Sequence, residues 1–188
     1  MKINKNVTID EVTNILLEDK IVGFFQGASE AGHRALGNRS LLMSPLKVEN
    51  KDTMNLLKGR ELFRPLAASV MQDKAKEWFD LLGLEESPYM TFSFNVKKDK
   101  KQFIPSVVHV DDTCRIQTVK AEQNKLYYDL LSNFYNKTQV PMLLNTSFNV
   151  KGQPIVNDIA DAVGCFYDTN IDILVAGDFM VIKEIEND

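Results

Sequence analysis

Apolar residues fall along this chain in short runs and helical stripes, separated by polar turns. Thr8 with Glu11 three residues later fits a capping box, and Ile9, Val12, Ile15 and Leu16 follow at helical spacing, which predicts a helix over 8–19. The run "IVGFF" at 21–25 is short and rich in β-formers, as expected of a buried strand. Further strands are predicted over 66–71 and 90–96, with the lysine-rich "KKDKK" at 97–101 an exposed turn between strands. Leu126, Tyr127, Leu130, Leu131 and Phe134 form one apolar face of a helix over 123–136, and Ile159, Ala162, Val163 and Phe166 do so for a helix beginning near Asn157 or Asp158. Runs at 140–145, 172–176 and 179–183 complete the strands, the last two joined by a tight turn at Gly177 and Asp178. Strands and helices mix without a strict β-α-β rhythm, which predicts an α+β or mixed-sheet α/β domain.

The 188 residues show no internal repeat, low-complexity tract or interdomain linker, so 1–188 reads as a single domain of ordinary globular composition, 44% hydrophobic and 26% charged. A net charge of -4 counts against a wholesale nucleic-acid or anionic-membrane binder but leaves room for a local basic pocket. Cys114 and Cys165 are far apart and in no C-x-x-C pair, so they are expected as reduced core thiols rather than a disulfide or a zinc site. Without an apolar run of the eighteen or so residues that a membrane span requires, the expectation is a soluble, cytoplasmic chain.

Charge type then changes the picture. The five arginines stand at 34, 39, 60, 64 and 115, in three short segments, while all other basic residues apart from the two histidines are lysines. Arginine presents a planar, permanently charged fork that engages phosphate or carboxylate oxygens two at a time, whereas lysine suffices for solubility on an open face. The segregation therefore reads as an anion site, with ion pairing to Glu30, Glu61 or Asp111 as the structural alternative. "EAGHRALGNRS" (30–40) carries Arg34, Arg39 and Ser40; "LKGRELFRPLAASV" carries Lys58, Arg60 and Arg64, with Pro65 biasing Arg64 toward extended geometry at the end of a loop. "HVDDTCRIQTV" alternates, putting His109, Asp111, Thr113, Arg115 and Gln117 on one side and Val108, Val110, Cys114 and Ile116 mainly on the other, with a turn at Asp111 and Asp112 able to flip the phase. With two histidines and no close partner at ligand spacing, His109 is expected not to hold a metal. "LLNTSFNVKGQPI" places Asn145, Ser147 and Asn149 at alternate positions, either as hydrogen-bonding groups aimed one way or as ordinary turn formers ahead of Gly152.

These four segments, in this order and spacing over about residues 20–183, resemble the C-terminal domain of the nodulation-factor and antibiotic carbamoyltransferases, of the NodU, CmcH and TobZ type. The resemblance implies a YrdC-like fold, a twisted mixed β-sheet flanked by helices. It implies binding of carbamoyl phosphate and ATP, with Mg²⁺ carried on the nucleotide, and formation of carbamoyladenylate. A separate ASKHA-type domain, here a separately encoded partner, then passes the carbamoyl group to an acceptor. On that basis Lys58, Arg60 and Arg64 hold phosphates, and Arg34, Arg39 and Arg115 share the carbamoyl phosphate and nucleotide anions. Ser40, His109, Asp111, Gln117, Asn145, Ser147 and Asn149 complete the pocket. Where the family usually reads G-R-x-E-x-G-P-R-A-L-G, this chain has Ala28 and His33 in place of an arginine and a proline; Asp112 stands for a usual glycine and Ala68 for a proline. Two other readings remain: a non-catalytic nucleotide-binding or anion-binding subunit, and an RNA-binding module, the latter disfavoured by the acidic total.

Overall fold

A computed structural model describes residues 2–183. In chain order the elements are β1 (Lys2–Lys5), α1 (Ile9–Leu17), β2 (Val22–Phe25), β3 (Arg39–Met43), α2 (Glu49–Leu57), β4 (Ala67–Met71), α3 (Gln72–Trp78), β5 (Phe79–Asp80), β6 (Ser93–Val96), β7 (Thr113–Val119), α4 (Lys125–Thr138), β8 (Met142–Ser147), α5 (Ile159–Tyr167), β9 (Ile173–Ala176) and β10 (Phe179–Ile182). The strands form one sheet in the order β1-β10-β9-β2-β3-β8-β4-β7-β6-β5. Parallel pairing of β2 with β9 and of β4 with β7 among antiparallel neighbours makes it mixed, as the irregular alternation of elements predicts.

Local chemistry explains the helix ends. Thr8 and Glu11 close the expected capping box on α1, and Asp158 and Asp161 close a second on α5, each satisfying N–H groups that a first turn otherwise leaves open. Asn124 caps α4, whose buried stripe of Tyr127, Leu130, Leu131 and Phe134 covers one sheet face. Gly177, at φ +59°, turns β9 into β10. Both cysteines are buried and free. No helix among the described residues is long and apolar enough to cross a membrane.

The structure shifts three boundaries. The strand expected over 90–96 begins at Ser93, because Met90 sits at φ +54° in a turn. β8 runs two residues past the predicted run and so carries Asn145 and Ser147 on the sheet. The turn expected at Asp111 and Asp112 is present and corrects the extended reading of 109–112: Asp112 N–H donates to His109 O (3.0 Å), Asp112 adopts φ +67°, and Val110 is 98% exposed instead of facing the core. Asp112 tolerates this left-handed conformation and pairs with Lys101 at 2.6 Å. From Thr113 onward the alternation holds, with Arg115 and Gln117 on one face and buried Cys114 and Ile116 on the other.

Candidate functional site

The segment 26–38 links the antiparallel pair β2 and β3, and Gln26 N–H joins Asn38 O across its neck at 2.9 Å. Its bends are held by side chains reaching main-chain groups. Glu30 Oε1 accepts from the N–H groups of Leu36 (2.6 Å) and Asn38 (2.8 Å), and Asn38 Nδ2 donates to Ala28 O (2.9 Å). From the sheet below, Asn145 Nδ2 donates to Ala35 O (3.1 Å) and Gln117 Nε2 to Leu36 O (2.8 Å), while Ser69 Oγ links the two amides. Gly37, at φ +111°, lies flat on the Tyr127 ring, where a Cβ would meet Tyr127 Cδ1 at 2.3 Å. This loop presents Arg34, half-buried, at the sheet's polar face.

Arg39 belongs to the scaffold rather than to a ligand cradle. Its Nε, Nη1 and Nη2 donate to Asn157 O, Gln26 O, Asn38 O and Gly27 O, and its guanidinium lies 3.6 Å from the Phe25 ring centroid. With every nitrogen committed, it has no fork to offer an anion. Ser40 is fully buried and accepts from Gly37 N–H at 3.1 Å. His109 bridges Leu66 O (3.0 Å) and Thr113 Oγ1 (3.1 Å), an arrangement satisfied by the neutral ring, and burial pushes its pKa down. Asp111 accepts from the Thr113 N–H and hydroxyl, which hold its carboxyl below the usual range. Ser40, His109, Asp111, Gln117 and Asn145 thus shape the walls through contacts of their own.

The remaining cations converge. Arg60 is repelled by Arg64 and Arg115, Arg115 by Arg34, and Lys58 by Arg60, so five positive groups from three chain segments share one neighbourhood. Burial first, and these repulsions second, lower the pKa of both Arg60 and Arg115. Arg64 pairs with Glu61 at 2.7 Å; among the described residues it is the one arginine of the five in an ion pair. Arg60 Nη2 and Arg115 Nε are buried and have no hydrogen-bond partner among the described residues. A concentration of half-buried, mutually repelling guanidinium groups costs stability unless an anion offsets it.

Lys58 occupies the junction of α2 and the end of β8. Its Nζ donates to Ser147 O (2.6 Å), Asn149 O (2.6 Å) and Asn149 Oδ1 (2.5 Å), and Ser147 Oγ donates to the same Oδ1 at 2.7 Å. Burial, followed by Arg60, nevertheless pushes the ammonium down to about 7. Ser147 and Asn149 are therefore partners of Lys58 within the site. Asn55 is the main residue that the sequence patterns missed: fully buried in α2, it accepts from Arg60 Nε (2.7 Å) and donates to Leu62 O and Arg64 O. Local spacing gave no signal for it, since neither the helix around Asn55 nor its burial follows from the apolar pattern. A separate cleft of about 590 Å³ lies between α2 and 168–172, but Asp168 and Asp172 in its lining do not suit an anion.

Among solved structures, a P. abyssi Sua5 complexed with L-threonine superposes over 90% of this chain and 46% of its own, at a TM-score of 0.65 and 16% identity. A full-length HypF in the phosphate- and nucleotide-bound form covers 95% of this chain and 26% of its own, at 0.65 and 20% identity. These likenesses confirm the YrdC-type fold. In sequence, the nodulation protein NolO of Bradyrhizobium diazoefficiens is 44% identical over 165 residues, 87% of this chain and 30% of that protein. NolNO of Sinorhizobium fredii is 43% identical over 170 residues, 89% of this chain and 25% of that protein. The chain thus spans about a quarter to a third of the length of these relatives. The model of the family described as Carbamoyltransferase C-terminus matches residues 13–183, which takes in the braced loop, the clustered cations and the Lys58 junction together, and the chain belongs to that family.

Proposed function

We propose that this domain binds ATP and carbamoyl phosphate and forms carbamoyladenylate, which a separate ASKHA-type domain or subunit uses to carbamoylate an acceptor. The observation that carries this reading is the convergence of Lys58, Arg34, Arg60, Arg64 and Arg115 with a single carboxylate partner among the described residues. Two polyanionic substrates would offset that excess charge. The HypF neighbour solved with phosphate and nucleotide adds support on the same fold.

In this reading water takes the phosphoryl group of carbamoyl phosphate, giving orthophosphate and carbamate. A carbamate oxygen then attacks the α-phosphorus of ATP, and pyrophosphate leaves with the electron pair of the broken P–O bond. Neither step asks for a strong protein base. Both need charge neutralisation and alignment, which fixed guanidinium groups supply. Arg60 and Arg64, held by Asn55 and Glu61, grip phosphate oxygens; Arg34 and Arg115 face the second anion. Lys58, whose Nζ donates to Ser147 O, Asn149 O and Asn149 Oδ1, acts on the phosphates as a nearby charge and not as a free donor, a charge that the arriving anion completes. Among the described residues no three His, Cys, Asp or Glu side chains gather as metal ligands, so Mg²⁺ is taken to arrive on the triphosphate, which it partly neutralises.

The test is incubation with ATP, Mg²⁺ and carbamoyl phosphate, following pyrophosphate and a carbamoylated nucleotide by mass spectrometry. Stoichiometric or catalytic release of both supports the reading. Binding of both ligands with no pyrophosphate returns the domain to the binding-module alternative.

A further inference from the structure

Phe63 stands between the two site arginines of the loop 58–66 and is 75% exposed. The turn that carries it is rigid. Arg64 N–H closes onto Glu61 O at 3.1 Å, and Asn55 Nδ2 clamps both Leu62 O (3.1 Å) and Arg64 O (3.0 Å). Pro65 and the buried Leu66 then fix the exit of the turn. Exposed single hydrophobic residues are common on proteins, so exposure alone says little. What sets this ring apart is its place and its support: it lies between Arg60 and Arg64 on a turn whose backbone is tied from within the helix below, and those two arginines are held by Asn55 and Glu61.

We infer that the Phe63 ring is the stacking seat of the nucleobase, one ribose away from phosphates held by Arg60 and Arg64. An aromatic face binds any base by stacking, and a face presented on a braced turn meets the base at a reduced ordering cost. The inference rests on the nucleotide reading above and adds the group that separates a nucleotide from a bare polyphosphate. Arg60 and Arg64 alone would hold ATP and inorganic tripolyphosphate equally; the ring favours ATP.

Calorimetric titration of the full chain at pH 8 with Mg²⁺, using ATP and inorganic tripolyphosphate in turn, tests this. The wild type is expected to prefer ATP by about five- to a hundredfold, the range a single stacked base supplies. Phe63→Ala should bring ATP down to the tripolyphosphate affinity and leave tripolyphosphate unchanged, which also shows that the variant is folded. Phe63→Trp should retain the preference. Equal wild-type affinities, or an ATP preference that survives Phe63→Ala as it would if the ring docks the rest of a longer chain, overturn the inference while the phosphate site stands. An equal loss of both ligands in Phe63→Ala also overturns it, by making the ring a support of the loop. If neither ligand binds the wild type, the nucleotide reading itself fails.

Discussion

Binding of ATP should draw a proton from solution onto Lys58. Burial and Arg60 hold this ammonium down to about 7, against a usual 10.5. At pH 8 the group is therefore about nine-tenths neutral, and at pH 7 about half. A phosphate oxygen brought against it supplies the opposite charge that Arg60 denies it and restores the ammonium. Uptake of about 0.9 proton per ATP at pH 8 and about 0.5 at pH 7 follows, because phosphate groups with a second pKa near 6 bring few protons of their own at pH 8. Calorimetry of ATP binding in buffers of different ionisation enthalpy reads the proton count as the slope of observed enthalpy against buffer enthalpy. Lys58→Arg keeps a charge that does not titrate in this range, and must abolish the uptake while still binding. An uptake below about 0.2 proton at pH 8, or the same slope in Lys58→Arg, would refute the placement of this ammonium against the phosphates.

The same group makes stability depend on pH. Between pH 7 and 10.5 the unfolded chain holds a proton on Lys58 that the folded chain lacks, so the folded state gains as pH rises. The gain is about 2 kcal/mol between pH 7 and 9, and it is opposed above pH 9 by Cys114, whose buried thiol is pushed up to about 12; thermal unfolding of the ligand-free chain should show a maximum near pH 9 that Lys58→Met flattens. Arg115→Met removes a half-buried guanidinium repelled by Arg34, so its unfolding free energy from urea titration should rise by about 1 kcal/mol while ATP affinity falls tenfold or more, and a variant that loses both stability and affinity contradicts the cation-cluster account. Gly37→Ala forces a Cβ to 2.3 Å from the Tyr127 ring at φ +111°, and should cost about 2–4 kcal/mol in denaturant unfolding; a cost below about 1 kcal/mol would show that the loop does not rest on Tyr127 as described.

Much of the framework was legible in short-range chemistry. The capping box at Thr8, the helix start near Asp158, the apolar face of α4 and the Gly177 turn all declare themselves within a few residues. Helix α2 did not, because its few apolar side chains form no continuous stripe and its inward face is built on Asn50, Met54 and Asn55. β1 is likewise polar and gains its place from pairing with β10, a partner far away in the chain. At the candidate site, the segregation of arginine from lysine pointed to segments that the fold brings together, but not to the contacts each side chain makes there. Arg34 and Arg39 lie five positions apart in one motif, yet the first joins the cluster and the second is absorbed by backbone carbonyls. Asn145 and Gln117, which read as ligand-facing groups, instead reach Ala35 and Leu36, contacts that span 110 and 81 positions and leave no trace in local spacing.

The braces of the 26–38 loop fall almost wholly on its main chain: the carbonyls of Gln26, Gly27, Ala28, Ala35 and Leu36 and the N–H groups of Leu36 and Asn38. The outward side chains at Ala28, Ser29, Ala31 and His33 carry none of that load and are exposed. The loop therefore behaves as a display frame whose contour is indifferent to what it exhibits, which is how Ala28 and His33 can replace an arginine and a proline without redrawing the path. Grafting other residues into these four positions offers a way to change the exposed surface while the frame beneath stays intact.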